Sequence, residues 1–317
     1  MTTALALLMG ALVAGWLVPH QLGRIDLHRV DPAPLIVSWL LSIAGFLLAG
    51  AVGVALLLVP DHGTSGGLAA ALHQCWIALQ HGSLPGAEEF GAVFGLGLLS
   101  AGVVRFTVVG VREFHQRVRT RRDQVAVLKL AARTDADSPN TLWLAHDRPL
   151  AFSIAGRPGV VVATEGLHQH LSRDAVAAVL AHEQAHLRGR HHLLVAIVDA
   201  LGKSLPFVPL FRKAPDALRE LVELAADVEA ARKHGNGAVR SALLCVTGDG
   251  TPQGALAMAR DAVDLRLERL SLGTQPLRPG RRALSCGIAG LGAATLPFLT
   301  GALLLLAVAV VACPVVV

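Results

Sequence analysis

The chain has 317 residues, 53% of them hydrophobic and only 16% charged, a composition too apolar for a soluble protein of this length and one that implies membrane segments. Four cysteines, Cys75, Cys245, Cys286 and Cys313, lie far apart with no C-x-x-C, which argues against a disulfide framework and a thiolate zinc site. The net charge of +5 gathers in a few basic clusters beside apolar runs, a pattern that fits membrane orientation and speaks against nucleic-acid binding.

Residues 3–18 carry no charge, and the first Arg, Arg24, follows the apolar run rather than preceding it, so an uncleaved membrane helix is expected instead of a signal peptide. Residues 34–60 are again uncharged and exceed the roughly 20 residues that a bilayer demands. A third span over 90–111 is interrupted by Arg105, whose long stem can reach the headgroups from a position near one membrane face. A fourth covers 287–312. The chain thus divides into three spans with their loops (1–111), a soluble region (112–286) and a last membrane helix (287–317).

Orientation follows from where Lys and Arg lie. Arg24 and Arg29 separate spans one and two, six basic residues from Arg112 to Lys129 follow span three, and Arg278, Arg281 and Arg282 precede span four; the 61–89 loop has none. The loop is therefore predicted to be external, the 112–286 region cytoplasmic and both termini external. The outer loop carries His62, His73, Cys75 and His81, at a spacing too irregular to make a strong metal site.

Inside the soluble region, 142–145 and 150–154 read as short strands, 156–159 as a turn, and the β-branched run 160–162 as a further strand. Ser172 then stands where an N-cap should, with Asp174 in the first turn and a strong apolar helix behind it. That helix carries His182-Glu183-Gln184-Ala185-His186. Side chains four apart share a helix face, so His182 and His186 can grip one zinc ion while Glu183 acts as general base for peptide hydrolysis. Residues 193–211 are apolar but contain Asp199, Lys203, Pro206 and Pro209, and are expected as a helix packed on the domain or lying at the membrane surface, with a fifth span as the lesser alternative. Pro215 is expected to open a further helix that stops at Gly235.

A catalytic zinc site needs a third protein ligand. Glu223, in Glu223-Leu-Ala-Ala-Asp227, is the favoured candidate, because Asp227 four residues on could accept the second ring N–H of a zinc-bound His. His192 competes, since the segment from His182 to His192 fits H-E-x-x-H-x-x-G-x-x-H letter for letter, the metzincin signature. Against it, the chain after His192 stays helix-compatible, and Met258 looks helical rather than part of a Met-containing turn.

The apolar spans, the strand-like 150–154, the turn and Val run over 156–162, Gly166 with Leu167, the zinc helix over 179–187 and the Glu223-to-Asp227 motif together resemble the BlaR/MecR-type integral membrane metallopeptidases. The likeness extends more distantly to the HtpX and CAAX-prenyl protease gluzincins. The resemblance implies a mainly α, polytopic membrane protein of about four transmembrane helices with a cytoplasmic α+β gluzincin-type domain, located in a bacterial-type plasma membrane. It also implies a Glu third ligand, an edge strand around Ala151, Phe152 and Ser153 that pairs with substrate backbone, and a winged-helix repressor as a partner. The antibiotic-sensing members continue into an extracellular penicillin-binding domain, so a chain lacking that sensor is expected here.

Hydrolysis also needs a donor to the oxyanion. The sequence has no Tyr, which leaves His191, His192 and His234 as the candidates. A different class of reading is a non-catalytic membrane receptor or scaffold with a structural or sensory metal. It gives Glu183, beside the ligands, no purpose.

Overall fold

The computed structural model of the chain describes residues 2–58, 87–135, 138–156, 158–248, 256–273 and 278–312; the outer-loop residues His62, His73, Cys75 and His81 lie outside them. Among the described residues, four helices are long and apolar enough to cross a membrane: α1 (Thr2–Leu22), α2 (Pro32–Leu58), α3 (Ala87–Ala131) and α9 (Pro279–Ala312). They match the four predicted spans. Helix α3 runs unbroken past residue 112, so the chain leaves the third span without a linker. Close approach holds α1, α2 and α9 together: a Cβ on Gly10 would lie 2.4 Å from the Gly301 nitrogen, and Thr300 Oγ1 donates to the Gly10 carbonyl at 2.9 Å. Small residues permit such contact where apolar side chains gain nothing by leaving lipid for one another.

Between α3 and α9 come β1 (Ala132–Asp135), β2 (Ser138–Leu144), β3 (Ala151–Ile154) and β4 (Val160–Thr164), then α4 (Gly166–His170), α5 (Arg173–Arg188), α6 (His191–Ser204), α7 (Pro209–Gly248) and α8 (Leu256–Ser271). The sheet order is β1-β2-β4-β3, with β2 parallel to β4 and the other two pairs antiparallel. Strands β3 and β4 sit close to the expected 150–154 and 160–162, β2 begins four residues before the expected 142–145, and β1 was not expected. Strand β3 is a sheet edge among the described residues.

Helix α6 packs on the membrane bundle and reaches the sheet through His192. Val198 and Leu201 of α6 join Phe211 and Leu218 of α7 in one core with Val18 of α1 and Trp39 and Ile43 of α2, and Phe46 meets Phe211 edge to face at 5.2 Å. Helices α6 and α7 therefore share a core with the spans. Helix α7 starts at Pro209, which leaves Pro215 inside it, a correction to the expected start. The predicted stop at Gly235 is a kink (φ 81°, ψ 155°) after which the helix resumes. Only a residue without a Cβ takes that conformation cheaply.

Helix α5 begins as predicted. Ser172 is its N-cap, with φ −65° and ψ 159°, and its hydroxyl accepts from the Ala175 N–H. Its inner face is alanine-rich: Ala178 and Ala181 are buried against Ala230 of α7. Those small contacts let α5 and α7 approach closely enough for side chains on facing turns to share one ion.

Candidate metal centre

His182 and His186 lie one turn apart on α5, and α7 lays Glu223 across them. Nε2 of His182 is 3.4 Å from Glu223 Oε2, Nε2 of His186 is 3.4 Å from Glu223 Oε1, and the two Nε2 atoms are 3.1 Å apart. A tetrahedral zinc with ligand bonds near 2.1 Å would hold its donors about 3.4 Å from one another. The triad fits an ion of that size. Two imidazoles and a carboxylate are also the donor chemistry of a catalytic site that leaves a fourth position open.

Asp227, one turn beyond Glu223, accepts from His182 Nδ1 at 2.9 Å. That fixes the tautomer of His182 with its Nε2 turned to the metal position, the role the sequence reading gave Asp227. Burial alone would depress the His182 imidazole, but its bonds to Asp227 and Glu223 outweigh that and raise its pKa from 6.5 to about 9. Both carboxylates would rise through burial, yet their bonds to His182 bring Glu223 and Asp227 down to about 2. Burial dominates at His186, whose pKa falls to about 4.

Glu183, next to His182 on α5, has Ser153 of β3 as its hydrogen-bond partner, through side chain and backbone. Burial pushes its pKa up, opposed by the His182 charge and those bonds. Ser153 also shares a 3.1 Å hydrogen bond with His192 Nε2. Of the edge-strand residues named from the sequence, Ala151 and Ser153 are half-buried and Phe152 is exposed.

The metzincin-like histidine does not join the cluster. His192 is directed to β3, and its ring centroid stands 6.0 Å from that of His186. His191 is the one beside the metal ligands: it is buried, and its Nδ1 lies 3.0 Å from Nδ1 of His186. With His186 Nε2 turned to the metal position, Nδ1–H of His186 donates to His191, which must be neutral. Burial favours that, lowering the His191 pKa to about 4. Of the three histidines named as oxyanion candidates, His191 is thus turned inward and engaged with His186. His234 lies three turns beyond Glu223 on α7, about 16 Å along the axis, so the fold does not bring it to the site. Met258 lies in helix α8, not in a turn beneath the metal position.

Arg266 of α8 was missed. Its Nε and Nη2 bond both oxygens of Asp227 at 2.7 and 2.8 Å, and Nη1 stands 3.3 Å from Glu223 Oε2. It neutralises the second carboxylate of a half-buried cluster that His182 alone cannot balance. Three residues on, Arg269 is buried and donates to the carbonyls of Leu27 and Val30, which ties the same helix to the loop between the first two spans.

The family model of Peptidase family M48 matches residues 117–224. The chain is 33% identical over 123 residues to a protease HtpX homolog of Gemmatimonas aurantiaca, covering 35% of this chain and 44% of that protein. It is 32% identical over 85 residues to a protease HtpX homolog of Salinibacter ruber, covering 26% and 31%. The matched part spans less than half the length of these curated relatives. No solved structure matches. None of these comparisons singles out the BlaR/MecR type. The likeness to Peptidase family M48 runs from the end of α3 through the helix that carries His182 and His186 and stops one residue past Glu223.

Proposed function

We propose that the chain is a membrane-embedded zinc-dependent endopeptidase acting on cytoplasmic or membrane proteins, with His182, His186 and Glu223 as metal ligands and Glu183 as the catalytic residue. One observation carries the reading: three donors at tetrahedral spacing stand beside a carboxylate that is not one of them, and that carboxylate touches an edge strand. Zinc held there supplies Lewis acidity, polarising a peptide carbonyl and acidifying water.

The residues of the chain do the rest. A substrate segment adds as a strand to the free edge of β3, its backbone pairing with residues from Ala151 through Phe152 to Ser153. Glu183, its pKa raised by burial towards the working range of a general base, takes a proton from the attacking water and delivers it to the leaving amine. Ser153 orients Glu183. His192, on the far side of Ser153, is the candidate donor to the oxyanion, because His191 is occupied by His186 and His234 lies too far away. The 112–286 region is cytoplasmic in this reading, both termini are external, and a winged-helix repressor remains the proposed protein partner, with the basic residues serving orientation in the bilayer and not nucleic-acid binding.

Purified full-length protein in nanodiscs, loaded with zinc and mixed with membrane and cytoplasmic protein pools, tests the reading. Cleavage should vanish with a chelator and return with zinc. Glu183→Gln should keep its zinc and cut at least roughly a hundredfold more slowly. Near-full cleavage by Glu183→Gln sinks the mechanism, and a complete lack of cutting by the parent favours the receptor or scaffold role.

A further inference from the structure

A cavity of about 700 Å³ opens between the sheet and the end of α5, and it shares a wall with the metal centre through His186. The strand register makes the connection explicit. Thr141 of β2 pairs with Val161 of β4, and Val161 pairs with Ser153 of β3, so the three lie in one cross-strand row. Ser153 is the partner of Glu183 and His192, while Val161 and Thr141 line the cavity. The cavity is therefore the inward continuation of the catalytic row, and its size is that of a ligand pocket.

The charge of its lining is one-sided. Arg188 and Arg190 stand on it, with the amides of Asn140 and Gln184, and no Asp or Glu is among the described lining residues. Arg188 is already engaged: its Nη2 lies 3.6 Å from Glu229 and its Nε donates to the Gln184 carbonyl. Arg190 has neither an ion pair nor a side-chain hydrogen bond among the described residues, and it is exposed. It is also the one non-glycine described residue with positive φ, at 50°. A left-handed conformation at Arg costs energy and persists where the surroundings impose it. Here the turn between α5 and α6, closed by Gly189 packed on His191, imposes it and sets Arg190 on the cavity lining.

We propose that this cavity is a specificity pocket for an acidic side chain of the substrate, with Arg190 as its specificity-determining cation. The proposal rests on the proteolytic reading above and deepens it. Gly156, which lines the cavity, follows Ser153 by three residues, the last two of them beyond the end of β3, a reach of no more than about 11 Å. The acidic residue accordingly lies two to four positions to one side of the bond that is cut.

The test uses peptides blocked at both ends, so that only side chains carry charge, with one Glu, Gln or Lys moved stepwise across the four positions on each side of the bond. At one position on one side, kcat/KM for Glu should exceed that for Gln about tenfold, the worth of a charged hydrogen bond, and Arg190→Glu should make Lys the preferred residue there. Fluorescence polarisation with zinc-loaded Glu183→Gln protein reads binding without turnover, and the same peptides should show the same order of Kd. A Glu-to-Gln ratio near one at every position, in cleavage and in binding, overturns the acidic pocket and leaves proteolysis standing. A Glu preference that survives Arg190→Glu overturns the assignment to Arg190. Binding that prefers Glu while the parent cuts none of the peptides supports the pocket and counts against the proteolytic reading.

Discussion

Nδ1 of His191 stands 3.0 Å from Nδ1 of His186, a contact that fits the proposed site in which His186 is a ligand and His192 is not. It makes His191 the partner that orients a ligand and leaves His192 outside the cluster. His191→Ala should weaken zinc binding roughly 10- to 100-fold, the usual effect of removing such a partner. Glu223→Ala should empty the site, and His192→Ala should retain about one zinc per chain. Gly189 belongs to the same argument, because a Cβ there would lie 2.3 Å from His191 Nε2. Gly189→Ala is expected to displace that ring and mimic His191→Ala. Metal analysis showing His192→Ala empty and Glu223→Ala full would reverse the assignment.

The glycine of the metzincin-like pattern thus has a local explanation that needs no third histidine: it makes room for His191. Spacing along one helix could identify His182, Glu183 and His186, because a period of four residues is written in the sequence itself. Glu223 and Asp227 were legible for the same reason, as a pair on one helix face. Arg266 was not, since it stands 39 residues from Asp227 on a separate helix and no local pattern marks an Arg that reaches back across the fold. The merging of α6 and α7 with the spans escaped likewise, for periodicity shows that a face is apolar without showing which element covers it.

Arg266 should matter more to the metal-free protein than to the loaded one. Without metal, the ionised Glu223 and Asp227 are balanced by protonated His182 and by Arg266. Removing Arg266 then leaves a carboxylate charge uncompensated in a buried setting, a loss on the order of 3–5 kcal/mol. A divalent ion compensates in its place. Arg266→Met should therefore lower the Tm of the apo protein strongly, and zinc should restore more of the Tm to the variant than it adds to the parent. Equal Tm losses with and without zinc would show that Arg266 acts by packing alone.

Topology can be read with reporters. Among the basic residues are Arg105, whose Nη2 donates to the Lys203 carbonyl, and Lys203 itself, which pairs with Glu113. These contacts tie α6 to α3 at the edge of the third span, on the side where the basic clusters lie. Fusions after residue 75 should report an external location and fusions near Gly235 a cytoplasmic one. The opposite pattern would turn the protein over and put its substrates outside.

Zinc affinity should depend on pH in a way that identifies His182. A ligand must be deprotonated to bind, and in the folded apo protein the His182 pKa is raised to about 9, whereas His186 is lowered to about 4 and Glu223 to about 2. Between roughly pH 6.5 and 9 only one proton therefore has to leave. Zinc affinity should rise about tenfold per pH unit across that window and level off above it. An imidazole at its ordinary 6.5 would give no slope above about pH 7.5. The sign for folding runs the other way: the raised pKa stabilises the apo protein fully below pH 6.5, and that contribution fades as pH rises through about 9. Asp227→Asn removes the negative charge that holds His182 protonated, so the slope between pH 7 and 8.5 should flatten in that variant. Competition for zinc against a chelator at fixed pH steps measures both. A parent protein whose zinc affinity is constant from pH 7 to 8.5 would mean that Asp227 and Glu223 do not hold a proton on His182 in the empty site.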